Sequence, residues 1–331
     1  MNNLPPGSSP SPFDEMQRAV DIVGTSPHPS NKISASLYGH DLDGKAFSVA
    51  RTNCWPQSVL DAFGMDRDVG DSSGTIHAET AAIFAAPATL GASLCVTDPF
   101  CPNCAKNIAE AGIKTIYIDH KGFDKDFAAR RGGDFDSMSM RICERAGISV
   151  YEIRRKDHIL TPIYTPPHNY RPREDRPVTV ERIMSADQGQ FHLLTQQKRA
   201  DFADVNMACA IARGPERTAY ALTALSHPAI GYSIDGDLGA LQNTDGKYSF
   251  MMEPMNRLLM NAARHGLRLV DGMIYCAQVP TSREQVNIAG AGITSIAVGD
   301  PGKARDGAAL QAMRQMQDAG IIEYRPMPAT L

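Results

Sequence analysis

The stretch SLCVTDPFCPNCAKNIAEAGIKTIYID, residues 93–119, decides the fold. It opens with a short apolar run at 93–97, enters a helix at Cys101-Pro102 that runs over 102–111, and closes with a second apolar run at 115–119. Gly112, between helix and second strand, is the residue type that tolerates the left-handed conformation of a helix cap. It is the next helix, over 135–146 between the run at 115–119 and a further one at 149–153, that makes a crossover and returns the chain parallel to itself where a hairpin would reverse it. Outward from this unit the same grammar continues, with helices over 76–86 and 135–146 and a strand over 149–153. Before them, Met16, Val20 and Val23 recur at helical spacing over 13–23. Two apolar runs at 33–38 and 46–50 flank the turn-rich HDLDGK, the pattern of an antiparallel hairpin. The alternation implies a layered α/β domain.

The unit occurs twice. IAEAGIKTIYI at 108–118 matches IAGAGITSIAV at 288–298 without a gap at an offset of 180, and RAGISVYE at 145–152 is echoed by DAGIIEYR at 318–325. A bare helix-cap-strand coincidence explains an AGI tripeptide, but not the recurrence of helix, cap, strand and closing helix in order. The 331 residues therefore divide into a tail at 1–12, a first domain at 13–156, a proline- and charge-rich linker at 157–189 (TPPHNYRPREDRP within it), and a second domain at 190–331.

With 43% hydrophobic and 21% charged residues, the composition excludes a disordered chain, a collagen or a coiled coil. A net charge of -4 supplies no overall positive field for a phosphate backbone, so nucleic acid is not the favoured partner and a small polar substrate is expected. Seven cysteines, an odd number spread over a long chain, read as those of a reducing compartment. Neither a signal-peptide pattern nor a run of about 18 apolar residues is present, so no membrane partner and a cytoplasmic location are expected.

Two motifs carry chemistry. His77-Ala78-Glu79 opens one helix and Cys101-Pro102-Asn103-Cys104 opens the next. One imidazole and two thiolates suit zinc, and three protein ligands leave a fourth position for water. Cysteines three apart at a helix start can turn both sulfurs to one point, where the helix dipole favours thiolate. Glu79, two residues after His77, is placed to act as a base on that water and need not bind metal. Other readings of the same residues are a redox CxxC pair, which requires no upstream HxE, and a structural zinc with Cys95 or Cys54 as fourth ligand. Cys143, Cys209 and Cys276 sit in apolar surroundings and read as core. Trp55 serves equally for stacking on a base or for packing. Phe123, with Phe127, Arg130 and Arg131, follows the fourth strand on the side where α/β sheets present ligand contacts.

HAE followed by CxxC resembles the signature of the zinc-dependent cytidine/deoxycytidylate deaminase superfamily, and CAKNIAEAGIKTIYI is most similar to its deoxycytidylate deaminase branch. The resemblance, over residues 13–155, implies an α/β/α domain with a mixed five-stranded sheet. It implies zinc on His77, Cys101 and Cys104, with Glu79 as catalytic proton shuttle. It also implies Asn53 as a sugar contact and the Ala78 backbone as a base contact, to which Trp55 and Phe123 are added as substrate contacts by their positions alone. The sequence departs from the family at Phe100, where a proline ordinarily precedes the first cysteine. The activity implied is hydrolytic deamination of a pyrimidine nucleotide or nucleoside. Alternatives are a base-editing enzyme of the tRNA adenosine type, a purine-base deaminase and a non-catalytic binding protein. Oligomers are usual in the superfamily, and a homodimer is compatible with this reading. In the second half the offset of 180 puts Thr281 at Cys101 and Glu284 at Cys104, and the first helix begins MMEPMNRLL from Met251, so that half is expected to be degenerate and free of zinc.

Overall fold

In the computed structural model, which describes residues 10–125, 133, 135–173, 175, 177–241 and 249–327, the hairpin at HDLDGK is present. Strands β1 (Ser34–His40) and β2 (Ala46–Thr52) pair antiparallel with Leu37 opposite Val49. On its other edge β1 pairs antiparallel with β3 (Ser93–Val96), to which β4 (Thr115–Asp119) and β5 (Ser149–Arg154) add in parallel. Counting helices of seven residues or more, this half contains α1 (Pro12–Ile22), α2 (Gln57–Phe63), α3 (Ala78–Ala85), α4 (Pro102–Glu110) and α5 (Met140–Ala146). Helix α4 is the crossover between β3 and β4, and a π-helical turn at Phe135–Ser139 leads into α5 before β5.

Alternation along the strands sorts the core. Tyr38, Cys95 and Ile153 face Met16 of α1 on one side of the sheet, while Leu37, Leu94, Val96, Ile116 and Val150 face α3, α4 and α5 on the other. The result is the α/β/α sandwich expected.

The second half repeats it. Strands β8 (Met207–Arg213), β9 (Ala219–Leu225), β12 (Arg268–Val279), β13 (Ser295–Ala304) and β14 (Glu323–Pro326) take the places of β1 to β5 with the same directions. The helices here are α6 (Gln188–Asp201), α7 (Pro254–Arg264), α8 (Ser282–Gly290) and α9 (Gly307–Asp318). Gly112 and Gly292 both close their helices at φ near 75°, where a side chain would be strained, and Gly147 and Gly320 do so at 66°.

While β10 (His227–Pro228) and β11 (Met251–Met252) pair antiparallel in a separate two-stranded ladder, each of the two main sheets has six strands where five were expected. The additional ones are β6 (Ile159–Tyr164), an antiparallel edge beside β5, and β7 (Val178–Ile183), an antiparallel edge beside β9. Both fall within 157–189, the stretch expected to be linker, and only the part between them passes from one sheet to the other. Edge strands bury one side at most, so Ile159, Leu160 and Ile163 remain exposed and no buried period shows in the sequence. At the other end Ser11 caps α1 through its hydroxyl, so the helix starts inside the expected tail.

Helices α3 and α4 face α7 and α8, and one continuous apolar cluster runs through both halves. Arg257 of α7 is wholly buried in this seam, pairing with Glu110 of α4 and donating to the His227 and Pro228 carbonyls, while Asn261 donates to the second Glu110 oxygen at 3.0 Å. The buried Arg257 Nε has no partner among the described residues, and removing one member of such a buried pair costs about 3–5 kcal/mol.

Candidate active site

His77 is the N-cap of α3 and Cys101 the N-cap of α4, both with extended backbone, so the positive ends of two helices converge on one place. His77 Nδ1 lies 3.1 Å from Cys104 Sγ and 3.5 Å from Cys101 Sγ, and the three ligand atoms fall within 4.8 Å of one another. Glu79, only 3% exposed, lies beside the Cys104 thiol. Burial pushes its carboxyl above the usual carboxylate range, against the pull of His77. Cys101 is held well below the usual thiol range by a hydrogen bond from Cys104, with His77 adding to the effect against burial.

The other expected residues divide. Ala78 is buried in the first turn of α3. Asn53 lies just beyond β2, but its amide is largely engaged: Oδ1 accepts from Ser26 Oγ at 2.7 Å and Ile33 N at 3.0 Å, and Nδ2 donates to the Asn31 carbonyl at 2.9 Å. One amide hydrogen is left. Trp55 is buried and stacks on His28, with ring centroids 5.5 Å apart. Phe100 and Phe123 both pack edge-on against Phe135, so the residue standing in place of the family proline is anchored in an aromatic cluster. Phe127, Arg130 and Arg131 lie outside the described residues. Cys95 packs with Met16 and Tyr38 on the α1 side of its sheet, and neither it nor Cys54 joins the His77 group. Cys143, Cys209 and Cys276 are buried.

His28 is the residue that sequence reasoning missed. Its Nδ1 accepts from Asn31 N at 3.0 Å and Ser30 N at 3.3 Å, which assigns the ring proton to Nε2. Burial and the neighbouring His77 hold this ring below the usual histidine range. A His-Pro-Ser-Asn run has the residues of a tight turn, and that turn brings His28 back to Trp55.

No family model matches the chain. A curated protein of Aliivibrio fischeri, described as an uncharacterized deaminase in the luxG 3' region, is 32% identical over 133 residues, which cover 40% of this chain and 86% of that protein. The chain belongs to the same deaminase family as this relative. Two solved structures of the dCMP deaminase of cyanophage S-TIM5, one with dCMP and dUMP and one apo, are similar at 19% identity with TM-scores of 0.29 and 0.28. They cover 42% and 43% of this chain and 93% and 96% of their own.

In this deaminase the second half builds the equivalent corner from other residues. Glu253 caps α7 as His77 caps α3, with φ and ψ of -74° and 151° against -72° and 151°. Met255 stands where Glu79 stands, and Thr281 and Glu284 take the places of Cys101 and Cys104. The Glu284 carboxylate accepts from Met255 N at 2.9 Å, Asn256 N at 3.1 Å, and Thr281 N and Oγ1 at 2.8 Å each. It thereby satisfies the first turns of two helices at once. Among the described residues, His77, Cys101 and Cys104 are the only group with a metal-ligand arrangement. No described helix is long and apolar enough to cross a membrane.

Proposed function

We propose that this deaminase hydrolyses the C4–amino bond of a pyrimidine nucleotide or nucleoside of the deoxycytidylate or cytidylate kind, with zinc on His77, Cys101 and Cys104. The observation that carries the reading is the convergence of one imidazole and two thiol sulfurs at two helix N-termini, with a buried carboxyl beside them. The donor set fits zinc and leaves a fourth position open. Bound zinc supplies Lewis acidity that makes water a nucleophile near neutral pH.

Glu79 then does the proton work. A buried carboxyl whose affinity for a proton is raised can take one from the attacking water and return it to ring N3, and a second transfer lets the amino group leave as ammonia. Water enters and ammonia departs, with no redox change. The remaining Asn53 amide hydrogen orients the sugar, the Ala78 backbone meets the base, Phe123 borders the pocket through its aromatic cluster, and Trp55 with His28 forms an aromatic wall. The net charge of -4 favours a single nucleotide over a polynucleotide.

Ammonia release from deoxycytidylate, cytidine, guanine and a short RNA hairpin at equal concentration tests this. A pyrimidine mononucleotide or nucleoside is expected to be fastest, and Glu79→Gln to lose at least about a hundredfold in rate. Preference for the hairpin assigns the chain to the editing class, and normal turnover by Glu79→Gln overturns the mechanism.

A further inference from the structure

We propose that Arg283, on α8 of the half without the metal-ligand set, is a positioning residue for the His77 site: it holds residues 73–76, the segment that delivers His77 to α3. The proposal rests on the reading of His77 as a metal ligand.

Arg283 crosses the seam and donates from Nη1 to the Thr75 carbonyl and from Nη2 to Ser73 Oγ, the latter at 3.3 Å. These groups lie two and four residues ahead of His77. Its neighbours on α8 and α9 complete the grip. The side chain of Ile76 rests on the bare Cα of Gly290, where any Cβ would strike it. Farther back, Gln315 of α9 accepts from Gly70 N at 2.8 Å and donates to the Asp68 carbonyl at 3.2 Å. On its opposite side the segment is bridged to Cys54, Ile76 N donating to Cys54 O at 2.7 Å and Cys54 N to Ile76 O at 3.1 Å. Cys54 sits between Asn53 and Trp55, so a shift of residues 73–76 moves the metal corner and the expected substrate wall together.

The seam contains its own control. Lys106 of α4 reaches the other way and donates to the Ser249 carbonyl at 2.8 Å and the Met251 carbonyl at 3.0 Å, groups four and two residues ahead of Glu253. The two cations thus make equivalent contacts in opposite directions, one onto the segment leading to His77 and one onto the segment leading to the corner filled by Glu284. If they served only to join the halves, their loss would have the same consequences.

The test uses the full chain and compares Arg283→Met, Arg283→Lys and Lys106→Met. Hydrogen exchange on metal-free protein reads positioning without substrate or metal. Arg283→Met is expected to raise exchange over 68–79 by about tenfold and leave 249–255 protected, with Lys106→Met doing the reverse. In metal-loaded protein, release of zinc to a chromophoric chelator should quicken by about tenfold or more in Arg283→Met, and Arg283→Lys should restore part of the difference. Unchanged exchange over 68–79, or changed exchange with normal zinc release, overturns the proposal while leaving the deaminase reading intact. Identical exchange and release profiles in Arg283→Met and Lys106→Met overturn it as well, reducing both residues to seam contacts. A wild-type chain that binds no zinc removes the reading of His77, and the proposal with it.

Discussion

At equivalent corners of the two halves, the same fold solves the same electrostatic problem in two ways. Two helix N-termini meet in a buried place and leave backbone N–H groups that require negative charge. In the first half, Cys101 and Cys104 with His77 offer a set of ligands for a cation, and Glu79 stands beside them. In the second, one carboxylate, Glu284, takes four hydrogen bonds from the two helix starts and fills the corner. The fold tolerates either solution, so chemistry resides in side chains at N-cap and first-turn positions and not in the architecture.

The contrast is broken most directly at the paired first-turn positions. Glu79→Gln is expected to lose at least about a hundredfold in rate, the low end of a general acid–base contribution, with zinc content and fold retained. The same measurement on Met255→Ala should show a rate close to wild type, because Met255 stands at the corner of the second half, where its sulfur meets the Cys276 thiol at 3.9 Å. Next in size is the stability of the filled corner. Glu284→Ala leaves four donors without their acceptor, and at about 1 kcal/mol each the loss in urea unfolding should reach about 4 kcal/mol, with zinc content unchanged. A loss of zinc in that variant would show that the corners are not independent.

A smaller effect sharpens the same point through pH. Burial and the nearby Glu253 push Glu284 up to about 7 from an ordinary 4.5, so the folded chain binds this proton more tightly than the unfolded one. Its contribution to stability is therefore complete below about pH 4.5 and is lost as pH rises through 7. Unfolding of metal-free wild type and Glu284→Gln at pH 5 and pH 8 checks the sign: the stability advantage of wild type over the variant should shrink at pH 8. An advantage that grows with pH contradicts it.

What the sequence made legible follows from burial. HAE and CxxC could be read as a group because His and Cys at helix starts have fixed spacing, and the repeat could be read because a glycine cap between helix and buried strand constrains eleven consecutive residues at 108–118 and 288–298 alike. The parallel run of β5 beside β4 followed from the crossover helix between them. Strands β6 and β7 were hidden because an edge strand needs hydrogen bonds more than apolar faces, and theirs are drawn from a proline- and charge-rich stretch. The stack of His28 on Trp55 depends on a turn bringing together residues 27 apart, which no local period records. The role of Glu284 was concealed by length: 24 residues separate His77 from Cys101, whereas 28 separate Glu253 from Thr281, so a single offset cannot align both helix starts. Arg283 and Lys106 were beyond reach for the same reason, since their partners lie more than 140 residues away.

The asymmetry of the two corners is tested most directly by metal analysis of the purified full chain, with the Cys101→Ser, Cys104→Ser double variant alongside. One equivalent of zinc per chain is expected, lost in the double variant. Two equivalents per chain, or one that survives the loss of both cysteines, would contradict the assignment of the metal to the first half and of its absence to Glu284 in the second.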